Sequence, residues 1–447
     1  MQAELTEVFL DSKTYFQNVD GVQVDGAFAH QAAMDTLEAL PPGCDRRQKQ
    51  CLLIPDENGR PMAVVDLIQH YPRRGIAFLG LLLIRESAQK KGRGRALSAW
   101  VEAFAKEKLG CHTIRLSVVD SNPVQGFWEK LGYQATGEAK PHEGEKIKSQ
   151  KRLMEKRIPW PALDETLQYL NSDLAQKDLL TDPYWPKWDG PWWRMLLLHE
   201  MGFSELIPKP VVRTMVERLN NHYLRIFPIH SGDLPAGTDP VLGTLCHCAV
   251  GNIFQVLHSC GVDVDSEIPW LRPWFFKYQM PDGGLNCDND AYLKPDLPSS
   301  MVGTIACLEA VLKCTPRAYT EEEILFLDRG AKFLIDRKIS LGSSSPNNAE
   351  EKEDEQDWKK IGFPRFYFYD ILRGFRFLED WSKKMGRPLP TEAFLEDAGR
   401  MDRRLRRRSY EGNRTRVHEN GEWVRKDARL FPLLEEVSAV GISSPYL

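Results

Sequence analysis

Between residues 50 and 158 the apolar positions recur every second residue, then every third or fourth, and then every second again. CLLIPDENGRPMAVVDLIQHY reads as a hairpin: a strand at Cys51 to Ile54, a turn at Asp56 to Gly59, and a second strand at Met62 to Ile68. IAFLGLLLI is apolar throughout, as a strand buried on both faces is. Ala96, Leu97, Trp100, Val101, Phe104 and Ala105 mark one face of a helix. Ile114, Leu116 and Val118 alternate along TIRLSVV, so one side of that strand faces a core. Asn122-Pro123 opens a short helix, VQGFWEKLG, which Gly132 closes. Two last strands fit Tyr133 to Gly137 and Lys148 to Ile158, and a further helix fits Ala27 to Leu40. No strand signal precedes Tyr15. The order β-β-β-α-β-α-β-β predicts a mixed α/β layer fold for a first domain over residues 1–158.

From Pro159 the grammar changes. WDGPWWRMLLLHEMG, GTLCHCAVGNIFQVLHSCG, SSMVGTIACLEAVLKC and RFYFYDILRGFRFLEDW are apolar around most of their circumference, as helices buried on several sides are. A more polar helical stretch follows each: PKPVVRTMVERLNNHY, SEIPWLRPWFFKYQ, EEEILFLDRGAKFLIDR and TEAFLEDAGRMDRRLRRR. Buried-then-exposed helix pairs imply an all-α array curved or closed about an axis, over residues 159–447. The join is expected near Pro159 to Ala162, where Pro-Trp-Pro interrupts hydrogen bonding. SSSPNNAEEKEDEQD, residues 343–357, has one alanine and no other apolar residue, and reads as a solvated or disordered loop.

The bulk numbers narrow the class. A chain of 447 residues has room for two or three domains, and a net charge of −4 gives no reason to expect a nucleic-acid partner. The arginine-rich stretch from Met401 to Arg416 is read as a solvated helix face rather than an RNA contact. The longest apolar run has nine residues, too few for a membrane span. Nine scattered cysteines behind an acidic start, MQAELTEVFLD, point to a reducing cytoplasm.

Candidate chemistry begins at AQKKGRGRALSAWVEAFAKEKLG, residues 88–110, where Lys90, Lys91, Arg93 and Arg95 are interleaved with Gly92 and Gly94. A buried strand runs into this loop and an amphipathic helix leaves it. The first-turn amides of a helix lack internal partners, and with the helix dipole they attract an anion. The glycines let the backbone close round a phosphate, and the basic residues add attraction.

Gln89-Lys-Lys-Gly92-Arg-Gly94 resembles the Q/R-x-x-G-x-G/A loop of the GNAT-type N-acetyltransferases, and SVVDSNPVQGFWEKLGY resembles their second signature. The resemblance spans about residues 20–158. It implies that acetyl-CoA or another acyl-CoA sets its pyrophosphate on the amides from Gln89 to Ala96. Its pantetheine arm would lie along Leu82, Leu83 and Ile84 like an extra strand, supported by Asn122. Where the family often has a tyrosine to protonate the leaving thiolate, this chain has Trp128, which has no acidic hydroxyl. Tyr133, nearby, is read as a packing residue or as a replacement acid. Glu86 is read as a base activating an amine through water, or as a solvated loop carboxylate.

WFFKYQMPDGGLNCDNDAY resembles the repeat of the α/α-toroid proteins, the terpene cyclases and prenyltransferase β subunits, through Gln279, Asp282, Gly283 and Gly284. Those prenyltransferases hold zinc with Asp, Cys and His. The candidate ligands here are Cys246, His247, Cys248, Cys287 and Asp288, set against packing of small buried thiols. Trp185, Trp188, Trp192 and Trp193 are read as lining a central apolar cavity or filling the seam between domains.

The whole reads as an acyl-CoA-dependent N-acyltransferase acting on a small-molecule or peptide amine, with the toroid helping to bind the acceptor. The alternatives are a catalytic toroid acting on an isoprenoid or other apolar substrate beside a degenerate acyltransferase half, and a non-enzymatic binding scaffold.

Overall fold

A computed structural model describes residues 1–90, 92–221, 247–287, 292, 298–342, 355–389, 402–407, 414–419 and 422–440. The chain divides into two compact units, Met1–Trp160 and Pro161–Leu447.

The first unit opens with helices α1 (Gln2–Leu10), α2 (Lys13–Val19) and α3 (Gly26–Glu38). Then come strands β1 (Lys49–Pro55), β2 (Pro61–Gln69) and β3 (Ile76–Ile84), and helix α4 (Arg93–Glu107). β4 (Thr113–Val119), α5 (Gln125–Lys130), β5 (Gln134–Glu143) and β6 (Lys148–Arg157) complete it. The strands form one six-stranded sheet in the order β1-β2-β3-β4-β6-β5. Only β3 and β4 run parallel, as a helical crossover between them requires.

Alternation along β2 sends Ala63, Val65 and Leu67 to one face, where they meet Leu97, Val101 and Ala105 of α4. Val64 points to the other face, into a second core with Leu5, Val8 and Phe9 of α1, Phe16 of α2, and Ala29 and Ala33 of α3. The sheet is therefore covered on both faces, which is why β2 and β3 carry near-continuous apolar runs.

The second unit is mainly helical. It holds α6 (Pro161–Leu170), α7 (Asp173–Thr181), α8 (Pro191–Glu200) and α9 (Lys209–Asn221). These are followed by α10 (His247–Ser259), α11 (Val264–Glu267), α12 (Leu271–Lys277), α13 (Met301–Lys313) and α14 (Glu321–Asp336). After β7 (Lys360–Phe363) come α15 (Ile371–Met385), β8 (Asp402–Arg407), β9 (Arg414–Glu419), β10 (Glu422–Asp427) and α16 (Pro432–Val440). Every residue of α8 is buried, as is α10 from His247 to Leu257. These two helices are thus buried around their circumference, whereas α15 buries mainly one face, through Arg373, Gly374, Phe377, Leu378 and Trp381.

Two sequence expectations need correction here. The basic stretch read as the end of a polar helix forms β8, parallel to β7, with Lys360 opposite Asp402 and Gly362 opposite Arg406. β9 and β10 pair antiparallel beside it in sequence. Backbone pairing with a distant segment overrides local helix preference, and local periodicity carries no trace of it. SEIPWLRPWFFKYQ is not one helix: α11 ends at Glu267, two residues before Pro269, and α12 starts at Leu271. Residues 343–354 of the acidic loop lie outside the described residues, and a helical turn covers 355–358. Among the described residues no helix is long and apolar enough to cross a membrane.

Candidate active site

β3 and β4 pair only from Ile76–Leu79 to Thr113–Leu116. Beyond that point β3 stays with β2 and β4 stays with β6, so the two parallel strands part. A bulge marks the parting. Asp66 pairs with Leu81 and Leu67 with Leu79, which leaves Gly80 as the extra residue. The gap opens into a cleft of about 670 Å³. Its walls include Leu82, Leu83 and Ile84 from β3, Ser117 from β4, and Asn122 and Trp128 around α5.

The glycine loop forms the mouth of this cleft, where Gln89, Lys90, Gly92, Arg93, Gly94 and Arg95 all border it. Lys90 and Gly92 both have φ of 75°, a left-handed conformation. Gly92 is the N-cap of α4 and supplies no side-chain cap, so the helix start faces the cleft with its positive end. An added Cβ at Gly92 would meet nothing within 4 Å, so the space over it is open. The Gln89 side chain donates to the Ile84 carbonyl at 2.9 Å, tying the loop back to β3. The Arg93 guanidinium donates to the Ala88 carbonyl at 2.9 Å.

The set of amides expected to hold an anion is smaller than the sequence suggests. Gln89 N–H donates to Glu86, Arg93 N–H to Lys90 and Ala96 N–H to Gly92, at 3.1, 3.3 and 3.0 Å. Ala96 does not border the cleft. Lys91 lies outside the described residues.

Glu86 and Tyr133, the two candidate catalytic residues, are both placed away from the cleft lining. The Glu86 carboxylate accepts the Thr14 backbone N–H in the first turn of α2. Its own N–H donates to the Asp11 carbonyl at 2.6 Å. It anchors the amino-terminal helices, a role invisible without the fold because the partners are 72 residues apart. Tyr133 is 2 % exposed and packs edge-on against Trp128, ring centroids 5.1 Å apart. Burial pushes its phenol well above the usual range, and Glu102 adds to this.

A tyrosine overlooked in the sequence does border the cleft. Tyr15 of α2 lines it and also borders a second cavity on the same face. Burial, with Asp20 adding, pushes its phenol up to about 12, so it stays protonated through neutral pH. It belongs to no motif, which is why the sequence did not single it out. Asp66 was overlooked too, although a lone carboxylate inside MAVVDLI is a readable signal, since a strand interior buries charge only at a cost.

In the helical unit the toroid-like residues hold a loop together. The Gln279 amide donates to the carbonyls of Gly283 and Phe326 at 2.8 and 2.9 Å, and the Asp282 carboxylate accepts Ser299 N–H at 2.9 Å. Cys246 and Asp288 lie outside the described residues, and among the described ones no three His, Cys, Asp or Glu side chains are grouped to hold a metal. His247 Nδ1 donates to the Asn286 carbonyl at 2.7 Å, and the Cys307 thiol donates to the His247 carbonyl. Trp188 and Trp193 pack at 4.5 Å and both contact Phe366, so these two form an aromatic cluster within this unit.

Residues 18–133 match the model of the acetyltransferase (GNAT) family. Among solved structures the chain is similar to an acetyltransferase from Thermus thermophilus, with 24% identity and a TM-score of 0.28, covering 35% of this chain and 90% of that one. It is also similar to spermidine N-acetyltransferase from Vibrio cholerae in complex with CoA and spermine, with 15% identity and a TM-score of 0.27, covering 34% of this chain and 88% of that one. No curated protein matches the chain.

Proposed function

We propose that the GNAT acetyltransferase domain over residues 18–133 transfers an acyl group from acyl-CoA to an amine. The observation that carries this reading is the cleft between the parted strands, with the basic glycine loop and the start of α4 at its mouth. A pyrophosphate fits there, on the positive end of a helix among Lys90, Arg93 and Arg95. The pantetheine arm fits along Leu82 to Ile84, whose edge away from β2 has no strand partner among the described residues, so it would pair there as an added strand. Asn122, at the far wall, supports the arm.

The chemistry is direct transfer. The amine first gives up a proton. Its lone pair then attacks the thioester carbonyl, the C–S bond breaks as the C–N bond forms, and the departing thiolate takes a proton. Tyr15 is the hydroxyl placed to supply that proton, since Trp128 has none to give and Tyr133 is buried away from the cleft.

We read the helical unit as an open α/α array. What supports this is that α8, α10, α13 and α15, the four stretches expected to be inner helices, bring His199, Asn252, Glu309 and Arg373 to one small polar cavity. Among the described residues that cavity measures about 30 Å³, room for about one water.

The test is calorimetry with acetyl-CoA on the wild type and on Gly92→Glu. The open space over Gly92 has room for the new side chain, at a backbone cost of about 1–2 kcal/mol for its left-handed φ, and the carboxylate then occupies the anion site. Affinity should fall by a hundredfold or more while the protein stays folded. Equal affinity in both proteins would overturn the reading.

A further inference from the structure

A second cavity, of about 410 Å³, adjoins the cleft and shares Tyr15, Gly80 and Leu81 with it. A cavity of this size suits a small molecule. Its walls are mostly apolar: Phe9, Phe16, Phe78, Ile68 and Leu40 contribute. Two carboxylates, Asp20 and Asp66, also line it. Asp66 is only 7 % exposed. Its Oδ1 lies 2.7 Å from Lys49 Nζ. Its Oδ2 lies over the bulge, where a Cβ built on Gly80 would stand 2.9 Å away. This oxygen therefore sits at the edge common to the two cavities.

A carboxylate buried in a strand interior costs stability, which pairing with the equally buried Lys49 offsets only in part. Burial pushes the Asp66 carboxyl up, while Lys49 and Arg46 pull it back. Asp20 is likewise pushed up by burial, with His142 lowering it and Glu145 raising it. Two strained carboxylates among aromatic walls are what a guest with one cationic head and an apolar body would relieve.

We propose that this cavity binds the acyl acceptor, a compact primary monoamine with an aromatic or hydrocarbon body, and that Asp66 receives its ammonium group at the edge shared with the cleft. The proposal rests on the reading of the cleft as an acyl-CoA site. The ammonium passes one proton to Asp66, and the freed lone pair then faces the thioester beside Gly80. The hydrocarbon body lies against Phe9, Phe16 and Phe78. A triamine is disfavoured: Asp20 is there for a second charge, but the third would have to lie on those rings or remain in water.

Calorimetry with 2-phenylethylamine, spermidine and trialanine, each with and without acetyl-CoA, tests this. 2-Phenylethylamine should bind at least tenfold more tightly than either rival. Asp66→Asn should weaken it tenfold or more and leave acetyl-CoA affinity within twofold. Removing one member of a buried ion pair can unfold the chain, so the double variant Lys49→Met/Asp66→Leu, which leaves no unpaired charge, accompanies it with its unfolding midpoint measured. Tighter binding of spermidine or trialanine, or unchanged 2-phenylethylamine affinity in a folded Asp66 variant, would overturn the proposal. Heat from 2-phenylethylamine but none from acetyl-CoA would instead remove the cleft reading and leave the amine pocket standing.

Discussion

The ring of Phe127 lies so close to Gly94 that a Cβ built on the glycine would stand 3.2 Å from the ring's Cζ. Gly94 sits in the first turn of α4 and Phe127 sits in α5, so the two sequence signatures touch at the cleft mouth. Phe127 is 37 % exposed and has room to move. Gly94→Val should therefore displace the ring from the cleft wall without unfolding the chain. The expected result is about a tenfold loss of acetyl-CoA affinity by calorimetry, with a nearly unchanged unfolding midpoint.

Tyr15→Phe tests the proton donor. The phenol is held at about 12, so it is protonated across the working range and its removal should be felt at every pH below that. Loss of a positioned general acid costs about 10²-fold or more in rate. The drop should appear in kcat, with the KM for acetyl-CoA little changed, in an assay of CoA thiol release.

Arg373 and Glu309 form a buried pair in the helical unit, Nη2 to Oε2 at 2.7 Å, with Asn252 accepting from the same guanidinium at 3.1 Å. Burial alone would raise the Glu309 carboxyl, but Arg373 and Lys313 hold it down to about 2. A depressed carboxyl contributes stability that is full above its unfolded value and lost as pH falls through its folded one. The loss should therefore run from about pH 4.5 toward pH 2 in denaturant titrations. Arg373→Met leaves the buried carboxylate with Lys313, at 3.1 Å, as its remaining ion-pair partner, so the cost is at most about 3–5 kcal/mol. Adding Glu309→Gln should restore much of that.

Gly283 has φ of 97°, and a Cβ there would stand 2.3 Å from the Arg329 carbonyl oxygen. Gly283→Ala meets both a backbone penalty and a clash, so a loss of at least about 1–3 kcal/mol is expected in urea unfolding. Acetyl-CoA affinity should be unchanged.

These residues differ in how openly the sequence displays them. The succession of strands and helices from β1 onward was legible because each element carries its own period, and the glycine loop because its unusual residues are adjacent. Tyr15 and Glu86 were not, since their roles depend on α2 lying along the end of β3, a pairing across 72 residues. Asp66 could have been flagged by its apolar neighbours, but the bulge that sets it beside Gly80 could not. β8 was hidden for a similar reason: its partner β7 lies about forty residues earlier, and composition alone favoured a helix.

The ties between Thr14 and Glu86 and between Asp11 and Glu86 bear on where this domain can be cut. The family match begins at residue 18, and a fragment started there would look complete by sequence. It would lack Leu5, Val8, Phe9 and Phe16, each at most 5 % exposed. At about 1.5–3 kcal/mol for each such side chain, their removal strips about 6–12 kcal/mol from a domain whose whole margin is about 5–15 kcal/mol. It would also take away Tyr15 and one wall of both cavities, so an expression fragment trimmed to the family boundary would be insoluble or, if rescued, inactive.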